Sequence, residues 1–553
     1  MQGIIILAGL ALLAGIGALL AHRRHGARRL ARLRTQWGQA VADPLTPEEA
    51  RLARAWHEAV RVPSDTEVDD ITWNDLSMDA LYRRFAPLTS AGQGVLYHLL
   101  RCPSDEPAEI ARRDAAICAL GGETAWPGVS RVLDALGTEA RMNAALLFGT
   151  QAKHRPWVLY TQLALDVVLA ACAVAGLLWS QMWLLGAVAA LAASAAMRVR
   201  LNKRDNMEGD IPTLVYLMRL LQCLPRLTAA LVREEALAAQ RARLDALSAR
   251  LRPVRQNPLL SLFFQGDMLT MYIKSLLGVD VIYYQRMLRD MARLREDIVA
   301  AYALVGELDA LRAVAGWRAR HPHHCVPCFD ESAPEAMCAR GLCHPLLPEG
   351  VPNDAALTHP ALLTGSNASG KSTYLKAIGL AALMAQSVAT CCAQAYSARM
   401  LAVKSSMALT DNVEAAESYF MAELRSLLRI VRYAGHTPCL ALVDEVLRGT
   451  NTQERIAAAY AVLRALAASG AWVVAATHDG ELTRLLADAY DNLHFQERLE
   501  DGRMVFDYKV HPGPARSRNA LLLLESMGYD EAIVAGARRM LARFAETGQW
   551  EEA

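Results

Sequence analysis

Residues 361–373 read ALLTGSNASGKST, and they decide the fold of the C-terminal part of the chain. A short apolar run precedes a glycine-rich loop, and the helical pattern YLKAIGLAALMAQ follows it. This order of strand, loop and helix matches the phosphate-binding motif GxxxxGK[ST]. Backbone N–H groups of such a loop surround phosphate oxygens, and the N-terminus of the next helix adds a positive field. The stretch therefore predicts a nucleotide phosphate site.

The motif also predicts what its residues do. Lys371 is expected to reach the β- and γ-phosphates, and the Ser372 hydroxyl is placed to bind Mg²⁺. The expected cofactors are thus ATP and Mg²⁺. The residues expected to hold the nucleotide are Gly365, Ser366, Asn367, Ala368, Ser369, Gly370, Lys371, Ser372 and Thr373.

Two further apolar runs each end in groups suited to hydrolysis. LALVDE at 440–445 predicts a buried strand with Asp444 as a second Mg²⁺ ligand. Side chains alternate along a strand, so Glu445 points elsewhere and can take the proton of an attacking water. WVVAATH at 472–478 delivers His478, whose imidazole can contact the γ-phosphate or that water. Glu445, His478 and Lys371 are the predicted catalytic residues.

The pattern of apolar residues along the chain changes near residue 321. Beyond it, short apolar runs alternate with helical stretches, which is typical of a parallel α/β sheet with functional loops at the strand ends. Residues 205–320 instead carry helical spacing, broken between Val254 and Gly278. The expected fold is a C-terminal α/β P-loop domain preceded by an all-α region with transmembrane helices.

The motif order resembles the ATPase domain of the MutS mismatch-repair family, within the ABC-type ATPases. TGSNASGKST is similar to that family's phosphate loop, DE-x-x-RGTNT from Asp444 to its DE-x-x-RGT[SN]T stretch, and TH-x-x-ELT from Thr477 to its TH-x-x-ELT. Residues 418–423 (SYFMAE) resemble its STFM-x-E helix. The resemblance implies a Mg²⁺-dependent ATPase that binds DNA. It also implies a homodimer with composite ATP sites, in which Ser418 contacts the nucleotide of the opposite subunit.

Other parts of the chain depart from that family. No Phe-x-Glu mismatch wedge is found in the early soluble region, and residues 205–320 are too short for the usual DNA clamp. Val446 and Leu447 replace more usual residues after the two carboxylates. The layout resembles a membrane-bound subgroup of MutS-like proteins, without mismatch reading.

Three apolar runs predict membrane segments. Residues 4–21 form an uncharged run of 18 residues, and runs at 157–180 and 182–197 are separated by a turn between two tryptophans. A cleaved signal peptide is the alternative for the first run, and a buried soluble hairpin for the other two. The expected domains are an anchor at 1–22, a cytoplasmic helical region at 23–156, a transmembrane hairpin at 157–197, a helical core or lever region at 198–320 and a MutS-type ATPase domain at 321–553.

Flanking charges predict the orientation. Basic residues follow the first run and lie on both outer sides of the hairpin, which places all these flanks in the cytoplasm by the positive-inside rule. The basic residues are Arg23, Arg24, Arg28, Arg29, Arg32, Arg34, Lys153, Arg155, Arg198, Arg200, Lys203 and Arg204. We expect a multi-pass protein of the inner or cytoplasmic membrane with its ATPase domain in the cytoplasm, where ATP is.

Several features stay open at this stage. Asp166 inside the second run is either a proton or ion site or a locally paired carboxylate. The residues His321, His323, His324, Cys325, Cys328, Cys338, Cys343 and His344 raise a zinc hypothesis. The basic run 23–34 could bind nucleic acid, although a topology or lipid role is its ordinary interpretation. The net charge of +1 says nothing about a nucleic-acid partner.

Two functions from different classes follow from these observations. The first is a membrane-tethered ATPase that couples ATP binding and hydrolysis to DNA binding, in the manner of mismatch repair. The second is a membrane ATPase that uses the same ATP-driven clamp to remodel a protein or lipid partner without DNA. The motifs do not separate them, because both would use one ATPase engine.

Overall fold

The chain divides into two compact units in a computed structural model. The residues that it describes are 28–35, 37, 46–149, 154–256, 278–347, 349–366, 369–407, 419–447, 451–500, 503–515, 521, 524–525 and 527–547. The first unit comprises Met1–Val62, Arg83–Leu99 and Ala115–Arg320. The second comprises Pro63–Tyr82, Leu100–Asp114 and His321–Ala553.

Helices make up the described chain as far as residue 320, which agrees with the helical pattern of the sequence. In chain order they are α1 Pro47–Val60, α2 Asp70–Asp75, α3 Met78–Arg84, α4 Ser90–Arg101, α5 Pro107–Gly121, α6 Trp126–Leu136, α7 Ala144–Phe148, α8 Pro156–Leu178, α9 Trp183–Asp205, α10 Met207–Ala230, α11 Ala238–Arg250, α12 Arg252–Arg255, α13 Val279–Arg293 and α14 Arg295–Arg320, with a 3₁₀ turn at Glu235–Leu237.

Helices α8 and α9 are long and apolar enough to cross a membrane. Of their most apolar stretches, only 11% and 22% of residues are buried. A hairpin inside a soluble core would bury these faces, whereas Leu177 and Trp179 are more than four-fifths exposed. An apolar surface of this kind marks a membrane or a partner. The first predicted run, at 4–21, lies outside the described residues.

Polar side chains join the two helices of the hairpin near its base. The buried Gln162 side chain lies within hydrogen-bond distance of Ser194 on α9 and donates to Asp166, both at 2.9 Å. Asp166 is thus paired locally, the second of the two interpretations left open by the sequence. The Arg155–Asp205 ion pair closes the base at 3.1 Å. Helix α9 continues past residue 197, because Lys203 and Arg204 in its last turn are favourable at a helix C-terminus.

Strands and helices alternate from residue 321 onwards. They are β1 Cys328–Phe329, β2 Met337–Leu342, β3 Asn353–Ala356, β4 Ala361–Thr364, α15 Lys371–Val388, β5 Ala395–Ala398, β6 Ala402–Ser406, α16 Tyr419–Ala434, β7 Cys439–Asp444, α17 Thr452–Ala468, β8 Trp472–Ala476, α18 Gly480–Leu485, β9 Asp491–Glu500, β10 Arg503–Pro512 and α19 Glu531–Thr547.

In the part of the chain that the structure describes, the larger sheet has six strands in the order β10-β9-β4-β8-β7-β6. All its neighbouring strands are parallel except the β9–β10 pair. This is the α/β sheet that the apolar runs predicted, with β4, β8 and β7 at its centre. A smaller mixed sheet has the strand order β1-β5-β2-β3. The sequence did not lead us to expect this second sheet.

Helices cover both faces of the six-stranded sheet. Leu427 and Ile430 of α16 and Leu463 of α17 pack in one cluster with Ala441 and Val443 of β7. The alternate side chain Leu442 points to the other face, against α15. Strands buried on both faces read as continuous apolar runs, which explains the pattern of β7.

Residues of the N-terminal part complete the second unit at the edge strand β6. Ser405 donates to the Asp75 carboxylate at 2.7 Å, and the backbone N–H of Met407 donates to the same oxygen at 3.0 Å. Thr72 accepts from the Ser405 N–H at 3.1 Å. Helix α2 therefore covers a strand edge that would otherwise expose unpaired backbone groups.

Candidate nucleotide site

The phosphate loop connects β4 to α15 and is shaped by two glycines. Gly365 has φ 142° and Gly370 has φ 105°, backbone angles that residues with a Cβ atom rarely adopt. A Cβ atom on Gly365 would also lie 2.9 Å from the carbonyl oxygen of Phe495. Both glycines are thus needed for the turn that leads into the N-terminus of α15.

Lys371 is held inside this loop. Its ammonium group donates to the carbonyl oxygens of Gly365 at 2.8 Å and Ser366 at 2.7 Å, and the side chain is buried. A buried ammonium group needs such partners. The same geometry keeps the charge at the centre of the loop, where a phosphate would lie.

Ser372 and Asp444 meet beside the lysine. The Ser372 hydroxyl donates to the Oδ2 atom of Asp444 at 2.5 Å, and Asp444 is 7% exposed. Two converging oxygen donors next to a phosphate loop suit Mg²⁺, which takes few protein oxygens and keeps waters and phosphate oxygens as its other ligands. The donor set therefore fits the metal expected from the sequence.

Glu445 and His478 form a second pair at the ends of β7 and β8. His478 Nε2 lies 2.8 Å from Glu445 Oε1. The Glu445 N–H donates to the carbonyl of Ala476 at 2.9 Å, and the Thr477 N–H to that of Leu363 at 2.9 Å. These bonds align the ends of the three neighbouring strands β4, β8 and β7. Both side chains therefore lie at the carboxyl ends of the strands, the end of the sheet that carries the phosphate loop.

Asp479, the residue after His478, is held by a bidentate ion pair. Arg455 of α17 donates to both oxygens of Asp479, at 3.0 and 2.6 Å. Helix α17 itself begins at an Asn451 cap, whose side chain accepts from the Glu454 N–H at 3.0 Å. Asp479 also donates its N–H to the Thr477 hydroxyl at 3.0 Å. The histidine is therefore carried on a turn that is held from both sides.

A cavity of about 320 Å³ opens directly next to Lys371 and Ser372. His344, Val351, Phe495 and Tyr508 are among the other residues that line it. Mixed apolar and aromatic walls of this kind suit a flat heteroaromatic base. The cavity thus continues the phosphate loop into a space for the rest of a nucleotide.

His344 is the titratable ring in this wall. Burial, together with the nearby charge of Lys376, lowers the pKa of its imidazole from 6.5 to about 4. The Leu346 N–H donates to its Nδ1 atom at 3.2 Å, so the neutral ring carries its proton on Nε2. His344 is therefore a neutral donor at physiological pH.

The structure places most, but not all, of the predicted site residues. Gly365, Ser366, Ser369 and Gly370 lie in the loop, Lys371, Ser372 and Thr373 lie in the first turn of α15, and Ser372 contacts Asp444. Asn367, Ala368 and Ser418 lie outside the described residues. So do Arg448, Gly449 and Thr450 of the resemblance.

Three residues near the site were missed by sequence reasoning. Glu497 accepts from the Ser366 hydroxyl at 3.2 Å, and Phe495 lines the cavity, both from β9. Asp479 holds Arg455, as described above. Asp479 could have been found from its position next to His478, but nothing in the sequence says that β9 pairs with β4.

The zinc hypothesis has no geometric support. Among the residues that the structure describes, no three of the eight histidines and cysteines between 321 and 344 bring ligand atoms within 4.8 Å of one another. Cys343 instead packs with its thiol 3.7 Å from the carbonyl oxygens of Gly341 and Gly350. Burial raises the pKa of that thiol.

Comparison with known proteins converges on the same part of the chain. Residues 361–545 match the family model of MutS domain V. The DNA mismatch repair protein MutS of Thermus thermophilus is 32% identical over 264 residues, and that of Thermus aquaticus 33% over 266 residues; each match covers 47% of this chain and 32% of the relative. The DNA mismatch repair protein MutS 2 of Haloarcula marismortui is 35% identical over 206 residues, covering 36% of this chain and 22% of that protein.

The chain spans about a third of the length of the Thermus relatives it matches. The agreement of the family match with the sheet and the phosphate loop nevertheless characterises the C-terminal domain. It is an α/β domain of the P-loop ATPase type, similar to domain V of the MutS proteins.

Proposed function

We propose that this chain is a membrane-anchored, Mg²⁺-dependent ATPase that acts as a homodimer and couples ATP binding and hydrolysis to DNA binding. One observation carries the ATPase assignment. Within the second unit, the loop-bound Lys371, the Ser372–Asp444 pair and the Glu445–His478 pair lie on the ends of adjacent strands. A lysine, a metal-binding oxygen pair and a carboxylate–imidazole pair are the groups that phosphoryl transfer to water requires.

The chain's own residues divide the work of binding. The Lys371 ammonium exchanges its carbonyl partners for β- and γ-phosphate oxygens, and the loop N–H groups and the α15 N-terminus add to the attraction. Ser372 and Asp444 hold the Mg²⁺, which when bound neutralises charge on the phosphates. His344 and Tyr508 contact the base in the cavity.

Hydrolysis depends on the second pair. Glu445 accepts the proton of the attacking water, and His478 orients the same water or contacts the γ-phosphate. Because the Glu445 N–H is hydrogen-bonded to the Ala476 carbonyl of the neighbouring strand, little reorganisation is needed when ATP binds. Lys371 stabilises the charge that develops on the transferred group.

Two further parts of the proposal rest on other observations. Exposed apolar faces on α8 and α9, flanked by basic residues, support insertion of this hairpin into the inner or cytoplasmic membrane with the ATPase domain in the cytoplasm. The names of the MutS relatives, DNA mismatch repair proteins, support DNA as the partner. The resemblance of residues 418–423 to a MutS-family motif motivates a dimer in which Ser418 completes the site of the opposite subunit.

A second candidate function is favoured by the same hairpin. An ATPase that is tethered at α8 and α9 can act on a protein or lipid partner of the membrane without DNA. Anisotropy of a labelled DNA duplex with the full-length chain in detergent separates the two, since phosphate contacts must weaken as salt rises. Salt-sensitive binding that responds to ATP supports the first function, whereas no binding even at low salt supports the second.

The ATPase assignment has its own test. Phosphate release from ATP by the full-length chain should require Mg²⁺ and stop when EDTA is added. It should also be lost in Lys371→Ala, whose fold can be checked by its thermal transition. Hydrolysis by Lys371→Ala at the wild-type rate would reject the site.

A further inference from the structure

Helix α16 carries a buried carboxylate, Glu423, that none of the steps above uses. We propose that Glu423 is a positioning residue that fixes the turn on which Glu445 is carried and thereby sets the rate of hydrolysis. The inference rests on the proposed ATPase function and deepens it.

The turn after Asp444 has an unfavourable backbone. Glu445 has φ 62° and Leu447 has φ 60°, and neither residue is glycine. Non-glycine residues in this left-handed region cost free energy and persist only where their surroundings hold them. The turn therefore needs support from neighbouring groups.

Glu423 supplies that support from one side. Its Oε1 atom accepts the backbone N–H of Leu447 at 2.6 Å, and Glu423 is 4% exposed. A charged acceptor makes a stronger hydrogen bond than a neutral one, especially away from water. The bond acts on the second left-handed residue, two positions after Glu445.

Strand β8 supplies support from the other side. The Glu445 N–H donates to the Ala476 carbonyl at 2.9 Å. The Glu445 side chain is thus aimed at His478 by two backbone bonds, one on its own N–H and one on that of Leu447. Loss of the Glu423 bond removes the support on the Leu447 side, and the turn can relax towards ordinary backbone angles.

Helix α16 is itself a firm support. Leu427 and Ile430 lie in the core cluster of the sheet, and both are almost fully buried. Arg429, farther along the same helix, is ion-paired with Asp69 and donates to the Ser405 carbonyl of β6. The helix is therefore held to the sheet from Leu427 onwards, about one turn after Glu423.

This arrangement separates binding from chemistry. Lys371 is held by the carbonyl oxygens of Gly365 and Ser366, and Ser372 by Asp444, whereas Glu423 holds Leu447. We therefore expect nucleotide affinity to depend on the phosphate loop rather than on the turn. The hydrolytic step should depend on it strongly, because misplacing a catalytic group by about 1 Å can cost a hundredfold in rate.

The test compares matched variants of α16 in the full-length chain, purified in detergent. Glu423→Leu removes the acceptor and keeps the bulk, Glu423→Gln keeps a neutral acceptor, and Ser426→Ala alters a fully buried polar group three residues away. Single-turnover hydrolysis of ATP measures the chemical step, and a fluorescent ATP analogue measures affinity.

We expect Glu423→Leu to hydrolyse ATP about a hundredfold more slowly than wild type with its affinity for the analogue changed less than about threefold. Glu423→Gln should recover most of the rate, and Ser426→Ala should match wild type. If Glu423→Leu does not fold, Glu423→Asp replaces it, since its carboxylate falls about 1.5 Å short of the Leu447 N–H.

Each other outcome has one meaning. A wild-type rate in Glu423→Leu or Glu423→Asp overturns the positioning role while leaving the ATPase assignment intact. Equal losses in rate and affinity also overturn it, because they indicate a general structural defect. Absence of hydrolysis by the wild-type chain, with Mg²⁺ present, overturns the proposed function and this inference together.

Discussion

His478 Nε2 lies 2.8 Å from Glu445 Oε1, although the two residues are carried by different strands. The strands β7 and β8 are parallel neighbours, and Asp444 pairs with Ala476 in their register. Each side chain follows closely after its strand ends, so the two meet at the same edge of the sheet. A carboxylate beside an imidazole can accept a proton from water and share it with the imidazole. A site that activates water for hydrolysis needs this property.

We first predict the effect of Glu445→Gln. Glutamine keeps the size of the side chain and can still contact His478, but it cannot accept the proton of the attacking water. ATP should therefore bind with near wild-type affinity while hydrolysis falls about a hundredfold or more. Filter-trapped, unhydrolysed nucleotide measures this state, with Lys371→Ala as the contrasting variant that loses binding. Turnover by Glu445→Gln at the wild-type rate would show that another group is the base.

A second prediction concerns acid stability and His344. The folded ring has a pKa of about 4, against 6.5 for the free side chain. Between these values the unfolded chain binds a proton that the folded chain does not, so stability falls as pH decreases through 6.5 and continues to fall towards 4. The loss from this group alone should be about 2 kcal/mol between pH 7 and pH 5.

Thermal transitions of the wild type and of His344→Gln, followed by tryptophan fluorescence across this pH range, measure that loss. Other carboxylates titrate in both proteins, so the difference between them isolates the histidine. The wild type should lose more stability than the variant on acidification. Parallel curves for the two proteins would contradict a buried, neutral His344.

The sequence was sufficient to predict the centre of the site. Three apolar runs, each ending in a functional turn, became β4, β7 and β8, and parallel strands bring their carboxyl ends to one edge. The meeting of Ser372 with Asp444, 72 positions apart in the chain, follows from that rule alone. Local motif and global topology agree here, so the meeting of these strand ends follows from the sequence while the roles of the residues stay a prediction.

The periphery could not be predicted in the same way. Glu497 reaches Ser366 only because β9 pairs with β4, and Asp75 reaches Ser405 across 330 positions of chain. No local pattern marks either contact, because each depends on which sheet edge a distant segment covers. The Glu423–Leu447 bond is of the same kind, since a motif can name Glu423 without showing the backbone group it holds.

A third prediction concerns the hairpin of α8 and α9. A reporter enzyme that is active only outside the cytoplasm should be active when it is inserted between Ser180 and Gln181. A reporter that is active only in the cytoplasm should be active when it is fused after residue 204 or at the C-terminus. The physical reason is that the basic residues at both outer ends of the hairpin resist transfer across the membrane. External signal from the C-terminus would overturn the orientation, and with it the supply of ATP. Cytoplasmic signal at Ser180 would instead indicate a hairpin that does not cross.

The last prediction is that two copies share their ATP sites. Lys371 and Ser372 line the nucleotide cavity, and Asp444 contacts Ser372. The resemblance of residues 418–423 to a motif of the MutS family motivates the proposal that Ser418 of a second copy completes the site. Ser418 lies outside the described residues, directly before α16, where a hydroxyl at a helix N-terminus would suit a γ-phosphate. The alternative is that Ser418 only caps its own helix.

Mixing two inactive variants distinguishes these possibilities. Lys371→Ala keeps a good Ser418, and Ser418→Arg keeps a good phosphate loop, so a mixed dimer regains one intact composite site. Neither variant should hydrolyse ATP alone, whereas the mixture should recover at most about half of the wild-type activity per mixed dimer, since a two-fold dimer has two equivalent sites. Subunit exchange must be demonstrated independently, for example by energy transfer between labelled copies. Exchange without recovered hydrolysis would count against shared sites, and activity of Ser418→Arg alone would show that the serine is only a helix cap.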